Sequence, residues 1–234
     1  MTSGLPREFA LSAVLMVAGA VLNAVATLAL LPSKEGADHE AIFTRYADSG
    51  AWVAGHLVQF AAILLGAAGL FVLARALRHE GPHLAALAGA GAVATAATFA
   101  VVQAVDGVAL KQAVDAWVDA PRAEEATRFA NAETVLWTGW GVQSFFYGVY
   151  SLTLVLLGVV VAVSRRFGAW IGSVAVAAGL VALAIGIDVA YRGPETEFYE
   201  GASVAYQLLV LVFVVGILIA EVRPRARPSM VRAP

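Results

Sequence analysis

The chain has 234 residues, 60% of them apolar and 14% charged, with a mean hydropathy of +0.79 and a net charge of −2. Soluble domains average about 45–50% apolar and about 25% charged residues, so this composition excludes an ordinary soluble globular protein. The absence of cysteine also excludes disulfides, thioether-attached haem and Cys-ligated zinc or iron–sulfur sites.

Six apolar runs follow one another, at roughly 9–31, 52–75, 84–107, 137–163, 169–191 and 202–221. Each is long enough to cross a bilayer core, which needs about 20 helical residues. The expected fold is therefore all-α, a polytopic membrane helical bundle with six transmembrane helices occupying residues 1–222. The first run has no small-x-small cleavage site after it and reads as a retained span. Between the first two spans, "LPSKEGADHEAIFTRYADSGAW" predicts a short surface helix, N-capped by Asp38 and stopping near Gly50. The third span continues into "VALKQAVDAWV", with Lys111 and Asp115 at i,i+4 spacing. Pro121 breaks the chain, and "EEATRFANAETVLW" leads back into the fourth span, so two helices should project beyond the membrane. Residues 223–234 form a basic, proline-rich tail suited to anionic headgroups.

Charge assigns the sides. Arg7, Arg75, Arg78, Arg165, Arg166 and the four tail arginines lie in alternate segments that hold only three acids, Glu8, Glu80 and Glu221. Positive segments stay cytoplasmic, so the chain is expected N-in and C-in, in a bacterial plasma (inner) membrane, with the acidic loops outside. Small residues in the third span (Gly89, Gly91, Ala92, Thr95, Ala96) and the fifth (Gly168, Gly172, Ala178, Ala182, Gly186) mark these two as the expected centre of the bundle.

Polar residues within the spans gather toward the outer half. They are Asn23, His56, Gln59, Gln103, Asp106, Trp140, Gln143, Asp188, Tyr191, Tyr206 and Gln207, and Glu133 should stand near the level of Asp106. The inner half offers only hydroxyls such as Ser12, Thr95, Thr98, Ser151, Thr153 and Ser173, which can bond their own helix backbone. Buried amides are costly unless paired. The expectation is an outward-facing polar pocket that binds or processes a small or lipid-like ligand arriving from the outer leaflet.

Two chemistries suit such a pocket. His56, Asp106, Glu133 and Asp188 together offer one imidazole and three carboxylates, a set suited to a divalent metal, although His56 belongs to no HxxxH or HExxH spacing. Without metal, Asp106 and Glu133 are candidate general acids with His56 as partner. The non-catalytic alternative is an accessory or sensory subunit that contacts other membrane subunits through the projecting helices. A transporter or channel is disfavoured, because no span contains proline and the inner half carries no charge. No nucleotide-binding motif or nucleic-acid-binding patch is present.

The stretch "WVAGHLVQFAAILLGAAGLFVLARALR" (52–78) resembles a group of uncharacterised six-span bacterial membrane proteins common in GC-rich actinobacteria. These often carry Gly-His-Leu before a leucine-rich helix that ends in a Leu-Ala-Arg type stop. The resemblance implies the six-span fold and a plasma-membrane location, and lends no catalytic residues.

Overall fold

The computed structural model describes residues 5–32 and 38–222. Every regular element in them is helical: α1 Leu5–Val25, α2 His39–Asp48, α3 Trp52–Ala76, α4 Pro82–Val102, α5 Leu110–Val118, α6 Glu125–Val163, α7 Ala169–Arg192 and α8 Glu197–Val222. Single π-helical turns extend α1 (Ala26–Leu30) and join α4 to α5 (Gln103–Ala109). Six of these rods are long and apolar enough to span a membrane. Each turns apolar side chains outward: Val14, Leu57, Val93, Phe145, Leu180 and Leu208 are all exposed. A soluble protein would bury such a surface; a bilayer solvates it. The basic tail lies outside the described residues.

Helix starts and stops follow local chemistry. Asp38 caps α2 by accepting a 2.8 Å hydrogen bond from the Ala41 amide, as an N-cap aspartate does. Pro82 opens α4 at a position where its missing N–H has no partner to lose.

Two rods are longer than a bilayer crossing requires. The α4–α5 rod covers 37 residues and α6 covers 39, which at 1.5 Å per residue is about 57 Å against a hydrocarbon core of about 30 Å. Their overhangs, with α2 laid against α5, make a helical cap at one end of the bundle. On α5 the apolar positions Leu110, Ala113, Val114 and Trp117 follow i, i+3, i+4, i+7 spacing. They close on Ile42, Phe43 and Tyr46 of α2 and on Ala132 and Leu136 of α6. Trp117 stands edge-on to Phe43 and Phe129, with centroids 6.1 and 5.3 Å apart.

The membrane bundle is knit by close backbone approaches at small residues. A Cβ on Gly19 would lie 2.6 Å from the Ala62 carbonyl oxygen, and one on Gly172 would lie 2.3 Å from that of Gly158. These contacts weld α1 to α3 and α6 to α7. Ser12 adds a 2.9 Å hydrogen bond to the Gly69 carbonyl, crossing from α1 to α3. It therefore does not bond its own helix, as Thr95, Thr98, Thr153 and Ser173 do.

The centre differs in part from the sequence expectation. In α6 and α7, 44% of the most apolar stretch is buried, against 33% in the α4 rod. The fourth and fifth spans, rather than the third and fifth, form the core pair. Gly168 is not at a helix contact; it precedes α7, and the nearest atoms to a Cβ there would belong to Trp170.

Candidate functional site

The cap end of α3 runs between the two π-helical turns. A π-turn adds one residue to the helical circuit, which shifts side-chain direction locally and recurs at functional sites. Both turns show the widened pattern, Leu31 N–H donating to the Ala26 carbonyl and Leu110 N–H to that of Val105. Gly55 faces Leu30 and Leu31 at the end of the first turn, and Gly107 within the second faces His56. A Cβ at Gly107 would come 2.6 Å from the His56 Cβ, so the imidazole packs directly on bare backbone.

His56 is 3% exposed. Its Nδ1 lies 2.9 Å from the Trp52 carbonyl oxygen and its Nε2 lies 3.3 Å from the Asp106 carboxylate. A carbonyl only accepts, so Nδ1 carries a hydrogen. The Nε2–carboxyl bond then requires one further proton, carried by either partner. The pair is an imidazolium with a carboxylate or an imidazole with a carboxylic acid, and a proton resides between them in both. The Trp52 indole N–H donates to the Asp106 carbonyl at 3.2 Å, which fixes the π-turn to the start of α3.

An amide chain runs beside this pair. Gln103 Nε2 reaches Gln59 Oε1 at 3.4 Å, and Gln59 Nε2 donates to Thr27 Oγ1 at 3.0 Å. The chain links the α4 rod, α3 and the first π-turn. Its inner end is incomplete: Gln103 is 8% exposed and its Oε1 accepts no hydrogen bond.

Three further groupings complete the layer. In the cap, His39 Nδ1 and Glu133 Oε1 are 2.6 Å apart, with the His39 ring against Phe43 and Trp140. Glu133→Ala is expected to release α2, raising its amide exchange about fivefold, the equivalent of roughly 1 kcal/mol, while α7 exchange is unchanged. Equal exchange in α2 would show that its apolar face alone holds the cap. At the α7–α8 turn, buried Asp188 accepts from Arg192 and from the Thr196 hydroxyl, and Thr196 Oγ1 caps α8 by accepting from the Tyr199 amide. Between α6 and α8, Gln143 Nε2 meets the Tyr199 hydroxyl at 3.3 Å, Tyr147 bonds Tyr199, and Tyr150 bonds Tyr206.

The expected residues are thus distributed among pairs. His56 joins Asp106, Glu133 joins His39, and Asp188 joins Arg192. The four side chains proposed as a metal set do not converge, and no group of three or more His, Asp or Glu with metal-holding geometry exists among the described residues. The reason is helix order: α7 packs on α6 and α8, whereas α3 packs on α1 and α4, so Asp188 cannot reach His56. Trp140 backs His39, Asn23 is half-buried on α1, and Gln143 and Tyr206 belong to the tyrosine cluster. Tyr191, 86% exposed, and Gln207 point away from the layer.

Sequence reasoning missed Thr27, Thr196, Tyr147, Tyr150 and Tyr199. Thr196 carried a legible signal, a threonine directly before the first helical turn with acids at Glu197 and Glu200. A water-sized void of about 30 Å³, lined in part by Thr95, Phe146 and Tyr150, lies between α3, α4 and α6. No family model, curated protein or solved structure matches the chain.

Proposed function

We propose that the cap-end polar layer is a ligand site, binding a small or lipid-like molecule and offering it a proton donor and acceptor in His56 and Asp106. One observation carries this reading. Gln103 Oε1 is a buried acceptor without a donor, placed on the same π-turn as Asp106. Buried polar groups are almost always partnered, and an exception calls for an explanation; Arg45 and Ser203 also carry such atoms, but Gln103 is the one that shares a π-turn with Asp106. A ligand hydroxyl or amide would supply the missing donor, with the His56–Asp106 proton beside it for acid–base work. Glu133 belongs to the cap through its contact with His39. The arginine distribution supports a cap facing away from the cytoplasm in a bacterial plasma membrane, with the ligand entering from that leaflet.

The test is native mass spectrometry of the full chain released directly from membranes. The expected result is a retained species whose occupancy falls about tenfold in Gln103→Leu, the loss of one hydrogen bond to a buried group. If Gln103→Leu binds the same species equally, or is simply more stable because an unpaired acceptor has gone, the layer is scaffolding and the reading fails.

A further inference from the structure

A crevice of about 560 Å³ opens on the flank of the bundle, where the stripe Val14, Ala18, Val21 and Val25 of α1 meets Leu65 of α3 and Leu218 of α8. All six residues lie within candidate membrane spans, so whatever fills the crevice is an acyl chain or another helix. From Val14 to Val25 the stripe is about 17 Å long, more than half of a hydrocarbon core of about 30 Å.

Arg7 extends the same stripe. It stands seven residues before Val14, two helical turns away and on the same face of α1. Its side chain is exposed and makes no ion pair among the described residues, whereas Arg75 is paired with Glu8 at 3.5 Å. The apolar stripe on α1 thus ends at an arginine outside any ion pair among the described residues.

The lining argues against a helix. Where this chain packs its own spans, glycines let backbones touch, as Gly19 does against Ala62 and Gly172 against Gly158. The crevice has only Ala18 among branched valines and leucines, which hold a second backbone off and suit a flexible chain. We infer that this flank binds one anionic phospholipid, with an acyl chain along Val14–Val25 and its phosphate at Arg7. This inference does not rest on the cap-end ligand site, since the phosphate at Arg7 would lie at the opposite end of α1 from Thr27.

The experiment uses the full chain in nanodiscs of equimolar phosphatidylglycerol and phosphatidylcholine, released for native mass spectrometry. Wild-type protein should retain phosphatidylglycerol over phosphatidylcholine by about fivefold, the effect of one arginine near an anionic headgroup. Arg7→Gln should bring the ratio to near one. Ala18→Phe should fill the slot and reduce retention of both lipids, and Leu218→Phe should do the same from the α8 side. Unchanged melting of each variant shows that the fold survives. No preference in wild-type protein, or a preference unaltered by Arg7→Gln, overturns the inference. So does a disulfide-linked dimer formed by Val21→Cys protein in place of lipid retention, which would identify the occupant as a second copy.

Discussion

Replacing Gly172 by alanine is expected to destabilise the protein by about 3 kcal/mol, at the upper end of the usual cost of overpacking. The added Cβ would lie 2.3 Å from the Gly158 carbonyl oxygen and from the Ala162 amide nitrogen. Backbone atoms cannot rotate away as a side-chain tip would, so α6 and α7 must separate. That separation loosens the most buried helix pair of the bundle and disturbs the Ser144–Gly186 and Ser151–Gly179 approaches further along the same seam. In lipid no hydrophobic drive recovers the loss, because van der Waals packing is the principal attraction between helices. Gly148→Ala is the control. It lies on α6, the helix that Gly172 packs against, with nothing within 4 Å of its Cβ, so better helix propensity should leave stability equal or slightly raised. Unfolding in detergent, followed by circular dichroism, checks both. A Gly172→Ala protein that melts with wild type would show that α6 and α7 do not touch there.

The second large effect concerns the pair at the cap end of α3. His56→Leu should cost about 3 kcal/mol, since it strips a buried partner from the Asp106 carboxyl and from the Trp52 carbonyl. In a double-mutant cycle with Asp106→Leu the coupling should be about 1–3 kcal/mol. Additive losses would mean that the two side chains do not share a proton. Gly107→Ala reaches the same end without touching either member, because its Cβ would enter the space of the imidazole. Nitrogen-15 shifts of labelled His56 provide an independent check. Nδ1 should read as protonated whichever form the pair takes, and a bare Nδ1 would break the argument.

Much of the architecture was legible before any coordinates. Hydropathy located the six spans to within a few residues, apart from two deliberate overruns. The apolar spacing at Leu110, Ala113, Val114 and Trp117 announced a packed helix beyond the membrane, and Asp38 announced the start of α2. These signals are local: a run length, a period of 3.6 and a side chain reaching its own backbone are all written within a turn or two of sequence. Of the site, the sequence identified the layer. His56, Gln59, Gln103 and Asp106 were marked by the cost of placing polar groups in an apolar run.

What the layer's members do with one another was not legible. Pairing depends on how each helix is rotated about its axis and on which helices are neighbours, and neither is a property of one segment. Two π-turns, each adding a residue to the circuit, decide that Gln59 meets Thr27 and that His56 meets Asp106. Helix order sends Asp188 to Arg192 and Thr196 instead, and the cap draws Glu133 to His39. The sequence by itself marked the polar residues, because the cost of desolvation attaches to each residue singly, although Tyr191 and Gln207 stay exposed. Only the tertiary structure decided which partner each one found, because a hydrogen bond needs two groups within about 3 Å.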